Sequence, residues 1–325
     1  MSYVLRRVGQ ALVVLALAYT VAFVLLQALP GDAILARYGS PELGLSTAQI
    51  DEIRRSYGAD QPLIVRFGIS VMSFLHGDLG YSVQSGAAVG DLISAALPST
   101  LALASLGLML AVLLAVTFAF TATYGRFGWL RGVFRGLPPV FVSLPVFWIG
   151  IMLIQVFSFR LGLVPVIGAT PVQALILPVV TLAIPIAAPL AQVLTRSIDE
   201  VSALPFVTVV RARGASTSWL LWRNVARNAL LPTLTIAGVL FGELVGGAVV
   251  TEAVFGRLGI GQLTAQAVSN RDSPVLLAVV VITTVAFVVI NLIVDLLYPV
   301  LDARLRRGGS SKRLSRLRAS VEASA

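Results

Sequence analysis

Residues 101–122 read LALASLGLMLAVLLAVTFAFTA, from Leu101 to Ala122, without one charged side chain. About 20 apolar residues are what a helix needs to cross a bilayer core of roughly 30 Å. In water such a segment would have to be buried on every side. In lipid it is an ordinary spanning helix. Five more stretches have the same character. Val8–Gly31, Leu137–Phe159 and Val275–Val294 carry no charge. Pro171–Thr195 is uncharged but contains Pro171, Pro178, Pro185 and Pro189. Asn228–Phe255 is apolar apart from Glu243 and Glu252. The composition agrees, with 57% hydrophobic and 12% charged residues, against about 45–50% and 25% in soluble domains. The expected fold class is therefore an all-α integral membrane protein with six transmembrane helices.

The first apolar stretch follows Arg6 and Arg7, as a secretory signal would. It is longer than a signal core of about 7–15 residues, and Leu29-Pro30-Gly31-Asp32 follows it in place of a small-residue cleavage site. It reads as an uncleaved helix.

Six spans put both termini on one side. The formal net charge of +9 then acquires a meaning. With both termini inside, the inner segments hold 17 Lys and Arg and the outer segments 7. Basic residues are retained on the cytoplasmic side, so the expected topology is N-in, C-in. A basic protein invites a nucleic-acid reading, but these charges interleave with the spans and form no compact patch. No nucleic-acid partner is expected.

The longest outer segment is 32–98. Ser46 and Gln49 have capping-box spacing for a helix running through Arg55. Gly58, Asp60 and Pro62 break it. Leu63–Leu75 has apolar residues near helical spacing, and His76-Gly77-Asp78-Leu79-Gly80 reads as a turn. Val89–Leu97 leads helically into the second span. The longest inner segment is 196–227. Gly214 can stop one helix and Ser216 or Thr217 can cap the next, which predicts a helix, a tight turn and a helix. The tail, 302–325, is basic and reads as disordered chain that touches anionic lipid.

Little chemistry can be built from these residues. There is no cysteine, and His76 is the one histidine. Disulfides, thiolate metal sites and cysteine nucleophiles are excluded. No Gly-Lys pair occurs, so no Walker-type phosphate loop exists. An intramembrane hydrolase would need a nucleophile with its base, or two aspartates at depth. His76 lies outside the spans and Asp295 has no partner aspartate in any span. No catalytic residue, cofactor site or metal site is expected in the chain.

Three acids fall within spans, where a central charge is costly and usually functional. Glu243 is the deepest. Glu252 is expected near the outer end and Asp295 near the inner end, both within reach of an interface. Glu243, Glu252, Asn291 and Asp295 are candidates for a substrate path or an inter-subunit contact. Pro178 and Pro185 lie seven apart on nearly one helix face, as candidates for a hinge or a static kink.

The motifs in order resemble those of the B-type permease subunit of oligopeptide/dipeptide ABC importers, a family with nickel and glutathione members. The likeness runs from residue 3 to about 306. It rests on Leu29-Pro30-Gly31-Asp32, on Asp60-Gln61-Pro62-Leu63, on Gly77-Asp78-Leu79-Gly80-Tyr81-Ser82 and on Leu97-Pro98-Ser99-Thr100-Leu101. It continues through Arg211-Ala212-Arg213-Gly214-Ala215-Ser216 and Arg227-Asn228-Ala229-Leu230-Leu231-Pro232, which resemble that family's cytoplasmic "EAA" loop. Gly246-Gly247-Ala248-Val249, Glu252, Phe255, Gly259-Ile260-Gly261, Arg271-Asp272-Ser273-Pro274-Val275 and the run from Asn291 to Tyr298 complete it. Thr208-Val209-Val210 stands where Glu-Ala-Ala is common, Asn224 replaces a frequent His, and Leu258 replaces a frequent Pro. Glu243 occupies a position expected to be small or uncharged.

The resemblance implies a permease half that moves oligopeptides or dipeptides across a bacterial cytoplasmic membrane by alternating access. It implies a heterodimer with a C-type permease subunit, two ATP-binding subunits that hold ATP and Mg, and an extracytoplasmic peptide-binding protein. Arg211, Ala212, Arg213, Gly214, Ala215 and Ser216 would form the ATPase-coupling loop. Asp60, Asp78, Arg271 and Asp272 are candidates for facing the binding protein. The expected organisation is 1–31 as the N-terminus and first helix, 32–98 as the external segment, 99–301 as a five-helix core, and 302–325 as the tail. Import of nickel, glutathione or another small solute stays open as an alternative. So does an ion-coupled secondary transporter.

Overall fold

The structure is a computed structural model. It describes residues 2–28, 33–39, 44–56 and 61–301. Leu29-Pro30-Gly31-Asp32, Asp60 and the basic tail lie outside these.

Thirteen α-helices follow one another in the described residues. They are α1 Ser2–Ala28, α2 Ala33–Tyr38, α3 Thr47–Ser56, α4 Leu63–Leu75, α5 Val89–Tyr124, α6 Gly128–Val142 and α7 Val146–Leu153. After α7 the helix widens to π geometry over Ile154–Arg160. Then come α8 Gln173–Ser202, α9 Pro205–Ala212, α10 Thr217–Leu220, a π turn at Leu221–Val225, α11 Ala226–Phe255, α12 Ile260–Ser269 and α13 Ser273–Leu301. Five helices are long and apolar enough to span a bilayer: α1, α5, α8, α11 and α13.

The third expected span differs from a single straight helix. α6 and the helix from Val146 to Arg160 are bent by 111°. The cause is local. Pro145 disfavours α geometry at Leu144, so the helix breaks before it. Counted as one broken span, the pair brings the candidate spans from five to six, an even number that keeps both termini on one side.

α8 is the central helix, packed between α5 and α11. The seam is built from small residues. Gly107, Ala111, Ala115 and Ala119 recur every four positions on one face of α5, and all are buried. Small residues let membrane helices approach closely, which is how they gain packing energy without a hydrophobic drive. Leu182 of α8 is fully buried. A Cβ on Gly107 would come within 3.0 Å of it, and one on Gly247 of α11 within 2.9 Å. Leu182 thus fills a hole that only two glycines leave open.

The expected helices of the outer segment are present. Gln49 Oε1 accepts from Ser46 N at 2.9 Å, and Gln49 N donates back to Ser46 Oγ at 3.4 Å, as a capping box requires. α4 does not stay clear of the spans. Its Phe67 and Ser70 pack on Tyr19 and Phe23 of α1, with a Tyr19–Ser70 hydroxyl contact of 2.6 Å. Part of the outer segment therefore descends along the outer half of the first span. α5 runs unbroken through Pro98, so the outer segment and the second span share one helix.

Candidate functional site

The inner hairpin is α9, Gly214 and α10. Pro205 starts α9, where its missing N–H costs nothing. Gly214 has φ +85°, a left-handed value that favours glycine. Ser216 caps α10, with Trp219 N donating to its Oγ at 3.2 Å. The predicted helix, turn and helix are therefore in place. Val207, Leu220, Leu221 and Val225 pack with Ala119 of α5 and with Leu194 and Ile198 of α8. The hairpin is thus bolted to the inner ends of the two most closely packed spans.

Its other face is open. Phe206 and Val209 are exposed and share one face of α9 by helical spacing, and Arg213, just past its end, is exposed too. Arg211, Ala212 and Gly214 are exposed, and Ala215 is half-buried. Apolar side chains beside two guanidinium groups suit a partner groove that is apolar and acidic. Nearby, Arg135 of α6 pairs with Asp199 of α8 at 2.9 Å.

On the outer side, two carboxylates are spent inside the chain. Glu252 is fully buried. Thr100 Oγ1 of α5 donates to its Oε1 at 2.6 Å. Gly261 N and Gln262 N, in the first turn of α12, donate to its Oε2 at 2.7 and 3.2 Å. Thr100 Oγ1 also accepts from Ile260 N at 2.8 Å. A carboxylate at a helix N-terminus meets orphan N–H groups and the positive end of the helix dipole. Gly259 and Gly261 are needed because a Cβ at Gly259 would overlap the carboxylate and one at Gly261 would strike the α11 backbone. Glu252 does lie at the outer end of its span, as expected. Instead of reaching an interface, it is used up within the fold, where its charge is met by those donors.

Asp272 is likewise only 3% exposed. It accepts from Ser82 Oγ and from the backbone N–H groups of Val83 and Gln84, each at 3.3 Å for the latter two. It ties the loop before α5 to the start of α13. As a candidate for facing a binding protein it is corrected: a buried carboxylate with three donors presents nothing outward. Asp78 and Arg271 are exposed. Asp78 Oδ1 accepts from Gly80 N at 2.9 Å and shapes the turn. Arg271 has φ +54°, unusual for a side-chain-bearing residue.

The other candidates do not converge. Glu243 is exposed at the middle of α11, on its outward face. Asn291 Nδ2 donates to Phe287 O of its own helix at 2.9 Å. Asp295 lies in α13, beyond the side chains described. Pro178 is buried in α8 and Pro185 half-buried, and the helix continues through both. Sequence reasoning missed Thr100, Ser82 and Arg257 as site residues. The first two sit inside quoted motifs, and their polar side chains beside apolar neighbours were the available signal.

Comparison with known proteins decides the family. The binding-protein-dependent transport system inner membrane component matches residues 107–307, and its N-terminal companion matches residues 1–104. The chain belongs to this family. It is a permease subunit of an ABC importer, a multi-pass protein of the cytoplasmic membrane, and the family is one of transport rather than catalysis. That sets aside the ion-coupled transporter and implies ATPase and binding-protein partners in general. A probable peptide ABC transporter permease protein of Sinorhizobium fredii is 34% identical over 94% of this chain and 99% of its own length. A glutathione transport system permease protein of Escherichia coli O6:H1 is 34% identical over the same shares. The crystal structure of an amino acid ABC transporter with histidines shares the fold, with TM-score 0.50 and 20% identity over 64% of this chain and 92% of that one.

Proposed function

We propose that this permease forms one half of an importer of oligopeptides or dipeptides, paired with a C-type permease, two ATP-binding subunits and an extracytoplasmic peptide-binding protein. The observation that carries the reading is the inner hairpin. It is held to α5 and α8 by buried contacts and open at Phe206, Val209, Arg211 and Arg213. A partner seated on that open face would move the hairpin and the two spans as one body. ATP-driven closure of the ATPase subunits would then reach the pathway without bending the chain. The outer end, locked by Glu252 and Asp272, would move as a second rigid body. Alternating access needs such packed units that shift against each other.

Peptide cargo is supported by the Sinorhizobium relative. Glutathione is the second reading, supported equally by the Escherichia relative. The test is uptake into vesicles by the assembled complex with ATP inside. A dipeptide, a pentapeptide, glutathione and nickel are offered through the complex's own binding protein. ATP-dependent uptake of the peptides above the other two establishes the proposal. Uptake confined to glutathione or nickel replaces the cargo and leaves the permease role intact.

A further inference from the structure

A cavity of about 450 Å³ opens on the outer side. It lies where the outer ends of α5, α8 and α11 meet the connector at residues 164–169. Its walls are mixed, and the apolar part comes from residues such as Val166, Leu177, Phe255 and Leu258. Ser99, Gln173 and Arg257 supply the polar side chains, and no acidic residue lines it among the described residues. The size lies in the range of about 300–1,000 Å³ typical of small-molecule sites.

Arg257 is held there by the backbone. α11 ends at Gly256, whose φ of +62° turns the chain off the helix axis. Arg257 Nη1 donates to Ala174 O at 3.2 Å, and Nη2 donates to Ser99 Oγ at 3.1 Å. The first contact has a specific cause. Pro178 has no N–H, so the Ala174 carbonyl four residues earlier lacks its helical donor. The guanidinium fills that vacancy and is pinned to the cavity wall. Only two of its five N–H groups are thereby used, and Nε is shielded from solvent with no acceptor. The result is a cation fixed on the cavity wall and short of acceptors.

Such a site selects a carboxylate, whose planar pair of oxygens matches the guanidinium fork. We propose that this cavity receives the terminal carboxylate of the substrate on the outer side, with Arg257 as its counter-ion. The inference rests on the peptide reading above and extends to glutathione, which also ends in free carboxylates. It does not extend to a bare metal ion. The charge fixes which end of the substrate enters.

The experiment compares trialanine with trialanine amide in vesicles carrying the assembled complex, for the natural chain and for Arg257→Gln and Arg257→Lys. The acid-to-amide uptake ratio should fall about tenfold in Arg257→Gln, the equivalent of one lost charge-assisted contact, and partly recover in Arg257→Lys. An unchanged ratio, or an equal loss for both peptides, overturns the proposal and leaves Arg257 a structural brace. If the natural complex imports neither peptide, the cargo reading fails separately. Phenylglyoxal labelling of Arg257, read by mass spectrometry, then decides the site. Protection by trialanine or glutathione but not by trialanine amide supports it, and protection by neither overturns it.

Discussion

Glu252 and Thr100 are 152 positions apart in sequence and share a hydrogen bond of 2.6 Å at the outer end of the bundle. The same carboxylate takes two N–H groups of α12, and the same hydroxyl takes a third. Three elements are thus locked by one buried acid. Removing it leaves Thr100 Oγ1, Gly261 N and Gln262 N without that acceptor. Glu252→Ala should destabilise the permease by about 2–4 kcal/mol, and Glu252→Gln by about half as much. Thermal unfolding of the detergent-purified chain checks this. Equal, small effects for both would mean that the lock carries little of the stability.

Asp272 performs the parallel task for the loop at residues 82–84. Asp272→Ala should cost about 2–3 kcal/mol, and amides of residues 82–86 should exchange hydrogen faster. Ser82→Ala should cost less, because the two backbone donors remain. Exchange unchanged in Asp272→Ala would contradict the tie.

Leu182 sits between Gly107 and Gly247, so a side chain added at either glycine should hurt. Gly107→Val and Gly247→Val should each destabilise by about 1–3 kcal/mol through overpacking. Leu182→Ala should cost about 2–5 kcal/mol through the cavity it leaves. The combination Gly107→Val with Leu182→Ala should recover part of the loss, which a double-mutant cycle measures.

At the inner hairpin, Ser216→Cys introduces a single thiol, because the natural chain has none. In the assembled complex it should crosslink to an ATP-binding subunit. Failure to crosslink from positions 211 to 216 would move the docking site elsewhere. Gly214→Val should cost about 1–2 kcal/mol from its left-handed φ and lower uptake more than it lowers expression.

Glu243 faces outward at mid-span. Glu243→Gln should alter uptake or assembly with the second permease, since a mid-membrane carboxylate on the surface needs a polar neighbour. Transport, selectivity and co-purification all unchanged would exclude that role.

Much of this was legible in the linear chain. The spans, the topology, the Ser46–Gln49 capping box, the turn at residues 76–80 and the hairpin around Gly214 all follow from local patterns. Backbone geometry, lipid solubility and capping act over a few residues, so neighbours suffice to predict them. The break before Pro145 was not evident because a proline alone does not mark one: α8 runs on through Pro178, Pro185 and Pro189. The destinations of Glu252 and Asp272 were hidden for a different reason. A carboxylate's role depends on which donors fold back to meet it, and those of Glu252 include Thr100, far away in the sequence.

The sequence by itself determined that this chain lives in a membrane, where its long apolar helices run and where its basic residues gather. Hydrophobic length and the distribution of charge are properties of the chain, independent of its fold. Only the tertiary structure decided which polar groups are spent and which remain available. Burial turned Glu252 and Asp272 into fasteners, and the missing donor of Pro178 drew Arg257 onto a cavity wall. Those outcomes depend on contacts between helices distant in sequence, and packing alone sets them.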